Sequence, residues 1–157
     1  MPTPTSTAAA RMAAASFIDN LAQGDIVSLY SFSSEVRELS PPVVVDDATR
    51  NVGSSGTVEC DEALPADGQW TRFIGGAGTT MPLTAPAEFS CGTHAPGWLS
   101  GAIPAEADGI VSRDVCFHFE GETCNWKVPI SVRNCGPFVM FKLKPVPTCA
   151  LRYCGTD

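Results

Sequence analysis

The sequence predicts a mainly β protein: a disulfide-stapled antiparallel β domain, with an N-terminal α/β segment of one helix plus two or three strands. Three observations carry this. The 13 prolines and 14 glycines are spread along 157 residues rather than gathered in a repeat, which favours many turns and short strands over long helices. All seven cysteines fall between Cys60 and Cys154, so the chain divides into two parts. Residues 126–133 alternate strictly between apolar and polar, the period of a strand with one wet face.

Residues 1–7, rich in Pro and Thr, read as a disordered N-terminus. Ala14, Phe17, Ile18 and Leu21 recur at i, i+3, i+4 and i+7, which places an apolar stripe on one face of a helix over residues 8–21. Gly24-Asp25 stops it. Residues 26–32 are a near-continuous β-prone run, suited to a strand buried on both faces. Ser33-Ser34 turns the chain, and residues 36–39 pair back as a hairpin partner. The order of residues 15–21, Gly24-Asp25-Ile26-Val27 and Ser31-Phe32-Ser33-Ser34 resembles the first helix and next two strands of a von Willebrand factor A domain. Asp46-Asp47-Ala48-Thr49-Arg50 is similar to the start of that family's next helix. Residues 8–50 are therefore expected to be a partial A-like segment. The family's Asp-x-Ser-x-Ser metal loop is absent. A hard cation needs several convergent oxygens, which Asp46-Asp47 cannot supply; such a pair reads as a turn or an N-cap. Thr57 could be a remnant of the family's metal-site threonine, but residues 51–59 read as a Gly/Ser linker.

The second part spans residues 60–157. Trp70-Thr71-Arg72-Phe73 reads as an aromatic strand running into Gly75-Gly76-Ala77-Gly78, too glycine-rich to continue a ladder. That stretch is no phosphate cradle, since no Lys-Ser/Thr ending and no helix follow it. Residues 81–104 read as irregular. In residues 91–99 Gly and Pro argue against regular structure, and Trp98 is expected to plug the core from a loop. Strands return over residues 110–119 and 126–133. In the latter Trp126, Val128, Ile130 and Val132 face one way and Lys127, Pro129, Ser131 and Arg133 the other. Pro129 cannot donate to a ladder, which argues for an edge position unless its missing donor points to solvent. Asn134-Cys135-Gly136-Pro137 supplies a turn, and Val139, Phe141 and Leu143 alternate with Met140, Lys142 and Lys144 on the return strand of an antiparallel hairpin.

A net charge of −7 with only 10 Lys plus Arg, and no basic run, excludes a nucleic-acid partner. The intervening spacings of 30, 24, 7, 10, 13 and 4 residues contain no C-x2-C pair, so the cysteines read as disulfides rather than as a zinc site. Such cysteine density belongs to an oxidising, extracellular compartment. The first residues lack a basic start and an apolar h-region, and no stretch is long and apolar enough to span a membrane. The expectation is a piece of a longer secreted or cell-surface chain whose signal peptide lies upstream.

The run Trp70-x-Arg72-Phe73, Gly78, Met81, Cys91-Gly92-Thr93-x-Ala95-Pro96-Gly97-Trp98-Leu99-x-Gly101, Pro104, Asp108-Gly109-Ile110-Val111-Ser112-Arg113-x-Val115-Cys116, Cys124-x-Trp126, Val132-x-Asn134-Cys135-Gly136 and Pro147-x-Cys149-x-Leu151-Arg152-Tyr153-Cys154 resembles the eight-cysteine domain of the uromodulin family. The resemblance covers residues 60–154. It implies extracellular placement, a disulfide-held β fold, membership of mosaic glycoproteins and no enzymatic activity or cofactor. It also implies the pairs Cys60 with Cys149, Cys91 with Cys154 and Cys116 with Cys124, leaving Cys135 as an unpaired thiol able to dimerise the protein. Relatives that act through glycans on this domain differ from this chain, since Asn20, Asn51, Asn125 and Asn134 all lack a hydroxyl residue two positions on.

His94 and His118 have nothing nearby in sequence to complete a catalytic or ligand set, and each reads as a structural or surface histidine. The expected function is structural or adhesive, presenting a rigid surface to other extracellular proteins or glycans. The alternative is a carbohydrate-binding module using exposed Trp70 and Trp98 as its ligand surface. Exposure of either ring beside polar side chains would favour that alternative, and burial of Trp70, Trp98 and Trp126 the scaffold.

Overall fold

The computed structural model describes residues 41–157 and the backbone of Leu29–Phe32 and Val36–Leu39. The chain forms two compact units, Met1–Ser40 and Pro41–Asp157. In the first, β1 (Leu29–Phe32) and β2 (Val36–Leu39) pair antiparallel, Leu29 opposite Leu39 and Phe32 opposite Val36. This is the pairing expected about Ser33-Ser34. The helix expected over residues 8–21 and the strand residues 26–28 lie outside the described residues.

The second unit is a seven-stranded sheet. Its strands are β3 (Val43–Val45), β4 (Gln69–Phe73), β5 (Ala95–Ser100), β6 (Ile110–Phe119), β7 (Glu122–Asn134), β8 (Val139–Leu143) and β9 (Leu151–Tyr153), in the order β3-β4-β8-β7-β6-β5-β9. Its centre is antiparallel, as the hydrophobic alternation requires. The two outermost pairs, β3 with β4 and β5 with β9, are parallel, a feature that strand periodicity does not encode. The sheet curls until its margins meet: Thr80 and Thr156 exchange backbone hydrogen bonds of 3.1 and 2.8 Å, and Val52 N–H donates to the Gly155 carbonyl at 2.9 Å. Gly155 is required there, because a Cβ would strike the Ala77 carbonyl oxygen.

Inside the curl lies one core built by alternation. Thr71 and Phe73 on β4, Leu99 on β5, Val115 and Phe117 on β6, Val128, Ile130 and Val132 on β7, Phe141 and Leu143 on β8, and all of β9 are buried. Phe73 meets Phe141 edge-to-face at 5.8 Å, and Phe117 meets Tyr153 likewise at 5.5 Å. On β7 the expected faces appear, with Val128, Ile130 and Val132 inward and Lys127, Pro129 and Arg133 exposed. Pro129 is tolerated because β8 covers β7 only over residues 131–134. The first half of β7 is an edge and the second half is central.

Three expectations are corrected. Trp98 does not sit in a loop: residues 95–100 are β5, paired with both β6 and β9. Pro96 precedes the start of the β6 ladder at Gly97, so its missing N–H leaves no gap in it. A Cβ on Gly97 would lie 2.7 Å from the Phe117 ring and 2.9 Å from the Arg152 carbonyl, so glycine is there for close packing and not as a breaker. The helix expected from Asp46-Asp47 is a single 3-10 turn, Ala48–Arg50, whose N-cap is Asp47 accepting from the Thr49 N–H at 2.9 Å. Residues 41–59 belong to the second compact unit, where the resemblance assigned 41–50 to the A-like segment and composition assigned 51–59 to a linker.

Candidate functional site

The cystines hold the margin of the sheet. Cys60 is bonded to Cys149 and Cys91 to Cys154, with Cα separations of 5.2 and 5.7 Å. Cys149 and Cys154 bracket β9, so that three-residue strand is tied at both ends. Cys116 is bonded to Cys124 across the β6/β7 hairpin. Cys135 is unpaired and half-buried at the β7/β8 turn, where its N–H donates to the Phe138 carbonyl at 2.9 Å. Asn134 shapes that turn by accepting from Gly136 N–H and donating to the Pro104 carbonyl. Cys60, Glu62 and Cys149 also lie together, but with both sulfurs in a cystine that group has no thiolate to offer a metal.

Between the two cystines of β9 lies a polar cluster that local sequence does not reveal. Arg152 is 1% exposed. Its guanidinium donates to the Asp47 carboxylate at 2.6 Å, the Glu59 carboxylate at 3.0 Å, the Thr49 hydroxyl at 2.8 Å and the Cys91 carbonyl at 3.1 Å. Arg50 forks onto Asp61 with contacts of 2.7 and 2.5 Å and reaches the Tyr153 carbonyl. Asp61 in turn accepts from the Tyr153 N–H at 2.8 Å. Residues 47–61 thus wrap β9 through ion pairs, of which Arg50–Asp61 is planar and two-pronged. The Thr49 hydroxyl, acting with the Thr49 N–H and Arg152 against the opposing effect of burial, holds the Asp47 carboxyl below the usual carboxylate range. Burial raises the Tyr153 phenol well above its ordinary value, so it serves as a neutral donor to the Lys144 carbonyl at 2.8 Å. The available signal was Arg152 itself, an arginine between Leu151 and Tyr153 that burial obliges to find carboxylates.

Trp70, Trp98 and Trp126 are each partly buried, which meets neither of the two conditions set for them. Trp98 donates its indole N–H to the Thr123 carbonyl at 2.8 Å, and Trp126 packs against Phe119 and the core. Trp70 on β4 and Trp98 on β5 are four strand steps apart, about 19 Å along the sheet, so they share no platform. His118 Nδ1 lies 2.7 Å from the Pro86 carbonyl, with Nε2 3.5 Å from Glu88. His94 is exposed and packs edge-to-face on Phe89. A hollow of about 220 Å³ lies beside His94, lined by Phe119, Trp126, Leu151 and the Cys149 end of a cystine. Its lining also carries the Thr148 hydroxyl, which makes no hydrogen bond to His94.

A short, closed sheet whose margin is fixed by cystines and desolvated arginine pairs defines a disulfide-held extracellular β module. The family model for the uromodulin-like eight-cysteine domain matches residues 71–155, and the chain belongs to that family. The pancreatic secretory granule membrane major glycoprotein GP2 of dog is 38% identical over 113 residues, 71% of this chain and 22% of that protein. The human GP2 is 36% identical over 113 residues, 71% of this chain and 20% of that protein. Mouse uromodulin is 40% identical over 96 residues, 60% of this chain and 14% of that protein. The chain spans about a fifth of the length of the GP2 relatives. Its placement is extracellular, that of a secreted or cell-surface protein. No helix among the described residues is long and apolar enough to cross a membrane.

Proposed function

We propose that this chain is a non-catalytic module of a mosaic glycoprotein, structural or adhesive, that presents a rigid surface to another extracellular protein. The observation that carries the reading is the double anchoring of β9, by two cystines at its ends and by the Arg152 and Arg50 clusters between them. That investment serves a surface of fixed shape rather than a moving site. His118, held between the Pro86 carbonyl and Glu88, and His94, packed on Phe89, make the contacts of structural side chains. Of the A-domain-like segment expected over residues 8–50, the proposal keeps residues 8–40, supported by the β1/β2 hairpin.

The test is a binding screen of the immobilised oxidised chain against purified extracellular ectodomains. A saturable partner lost on reduction of the cystines is the expected result. Turnover of an ester, phosphate or glycoside substrate by the purified chain, abolished by substituting His94 or His118, would overturn it.

The cystine assignment belongs to the same proposal, with Cys60–Cys149, Cys91–Cys154 and Cys116–Cys124 as intramolecular bridges and Cys135 as the thiol of a disulfide-linked dimer. Non-reducing peptide mapping should recover those three pairs. Under mild oxidation the chain should run at doubled mass, and Cys135→Ser should remain a monomer. Recovery of Cys135 in an intramolecular bridge would sink the assignment.

A further inference from the structure

Once each described cation is matched to its partner, those left over stand on one face. The chain has 10 Lys plus Arg, of which Arg11 and Arg37 lie outside the described side chains. Arg50 and Arg152 are committed to Asp61, Asp47 and Glu59. Arg113 donates to the Ala102 and Ser112 carbonyls, and Lys127 pairs with Asp114 at 3.4 Å. The remainder is Arg72, Arg133, Lys142 and Lys144, and none of these four forms an ion pair with a described residue.

The sheet register gathers them. Lys142 is the cross-strand neighbour of Trp70 on one side and Ser131 on the other, and Met140 is opposite Arg133. Thr71, Phe73, Val132, Phe141 and Leu143 are buried, so the alternate residues Trp70, Arg72, Arg133 and Lys142 occupy the outer face. Lys144 continues the row: a Cβ on Gly68 would lie 3.2 Å from the Cγ atoms of both Lys142 and Lys144. The Arg72 guanidinium stacks over the Phe138 ring at 4.1 Å, and its Nε is buried without a hydrogen-bond partner. Val44, beside Arg72, and Ile110, beside Arg133, flank the row at 53% and 57% exposure. Among the described residues, acidic groups border it at Asp114, engaged by Lys127, at Glu106 beside Gly136, at Asp67 before Gly68 and at Asp46 after β3.

We propose that this outer face of β4, β8 and β7 binds a sulfated polysaccharide, with Arg72, Arg133, Lys142 and Lys144 receiving sulfate groups and Trp70 stacking on a sugar ring. Charge complementarity selects the class, since four unneutralised cations collected on a protein of net charge −7 are matched by a polyanion. A protein partner fits less well, because protein interfaces exclude lysine from their centres and lysines form the centre of this face. Lys142 and Lys144 follow one another about 7 Å apart along one segment, and Arg133 on the neighbouring strand stands opposite Met140, two residues from Lys142, an array that suits the repeating anions of a polymer. Trp70, partly buried in the row, offers a ring to a pyranose face. This goes beyond the scaffold reading and does not depend on it.

The experiment titrates the full chain with a heparin hexasaccharide, its chemically desulfated counterpart and polyglutamate, following heat and tryptophan emission. The sulfated sugar should bind and weaken with added salt, with an emission change that Trp70→Phe removes. Arg133→Gln/Lys142→Gln should weaken binding about tenfold or more, with an unchanged thermal midpoint. Ser55→Glu/Thr57→Glu, which adds two negative charges at the loop packed on Gly92, should leave it within about twofold. If the double variant fails to fold, Lys144→Gln alone should still weaken binding measurably. No binding at low salt, equal binding of the desulfated sugar or of polyglutamate, or undiminished binding by the charge variants would each overturn the proposal.

Discussion

Arg152 occupies a position that hydrophobic patterning would give to leucine or valine, between Leu151 and Tyr153 on a fully buried strand. Its charge is tolerated because two carboxylates, a hydroxyl and a carbonyl converge on it. Removing the guanidinium leaves those groups without their donor. Arg152→Met should cost about 3 kcal/mol in urea unfolding, within the range for breaking a buried pair. A loss below about 1 kcal/mol would mean that the carboxylates rehydrate freely. Asp47 is the milder case because its side chain is 42% exposed. Its folded carboxyl lies below the ordinary value of 3.8, so the ionised form contributes stability above that pH and the contribution fades as pH falls through the folded value. Asp47→Asn should therefore be less stable at neutral pH by roughly 0.5–1 kcal/mol, screening included. The gap between the two proteins should close as pH is lowered past 3.8. A gap that widened in acid would reverse the sign of the argument.

Among the elements, β6, β7 and β8 were legible because each obeys a two-residue period against one core, and the turn at residues 134–137 carries its own chemistry. β5 was not legible, since Pro96 and Gly97 carry the local signature of a break and their reason is tertiary. Gly97 is where Phe117 and the Arg152 backbone approach too closely for a side chain. Gly97→Ala should accordingly destabilise the domain by about 2 kcal/mol, the order found for overpacking a core. Thermal melts showing no shift would mean that β9 can move away. The basic face was hidden for a related reason: its cations come from positions 72, 133, 142 and 144 on three strands, so no run of charge exists to be read. The cystines differ by the loops they close. By the chain-entropy relation, replacing Cys60 and Cys149 by Ala should cost about 4–5 kcal/mol and replacing Cys116 and Cys124 about 2.5 kcal/mol. Equal losses would show that native-state contacts, not loop length, set the cost.

At the scale of the whole molecule the decisive stretch is residues 41–59, where 41–50 read as the end of the A-like segment and 51–59 as a linker. Gly and Ser in residues 53–56 are local signals of a linker, whereas the side chains that tie the stretch down act over long separations. Arg50 reaches Asp61 and the Tyr153 carbonyl, and Asp47 and Glu59 reach Arg152. The backbone does the same: Val52 N–H donates to the Gly155 carbonyl, Gly155 N–H to the Arg50 carbonyl, and Cys91 N–H to the Ser54 carbonyl. Val43–Val45 adds a strand to β4. A chain beginning at Cys60 would keep all seven cysteines and all of the family match at 71–155. It would still expose the β4 edge, leave the Arg152 guanidinium buried without either carboxylate, and strip Asp61 of Arg50. One buried charge without a partner costs about 3–5 kcal/mol, comparable to the whole stability of many domains of this size. Chains spanning 41–157 and 60–157, refolded under the same redox buffer and compared by urea unfolding, should therefore differ by at least about 3 kcal/mol, with the shorter one unfolding first. Equal midpoints would establish that residues 41–59 only decorate the sheet, and that the cystines alone hold its margin closed.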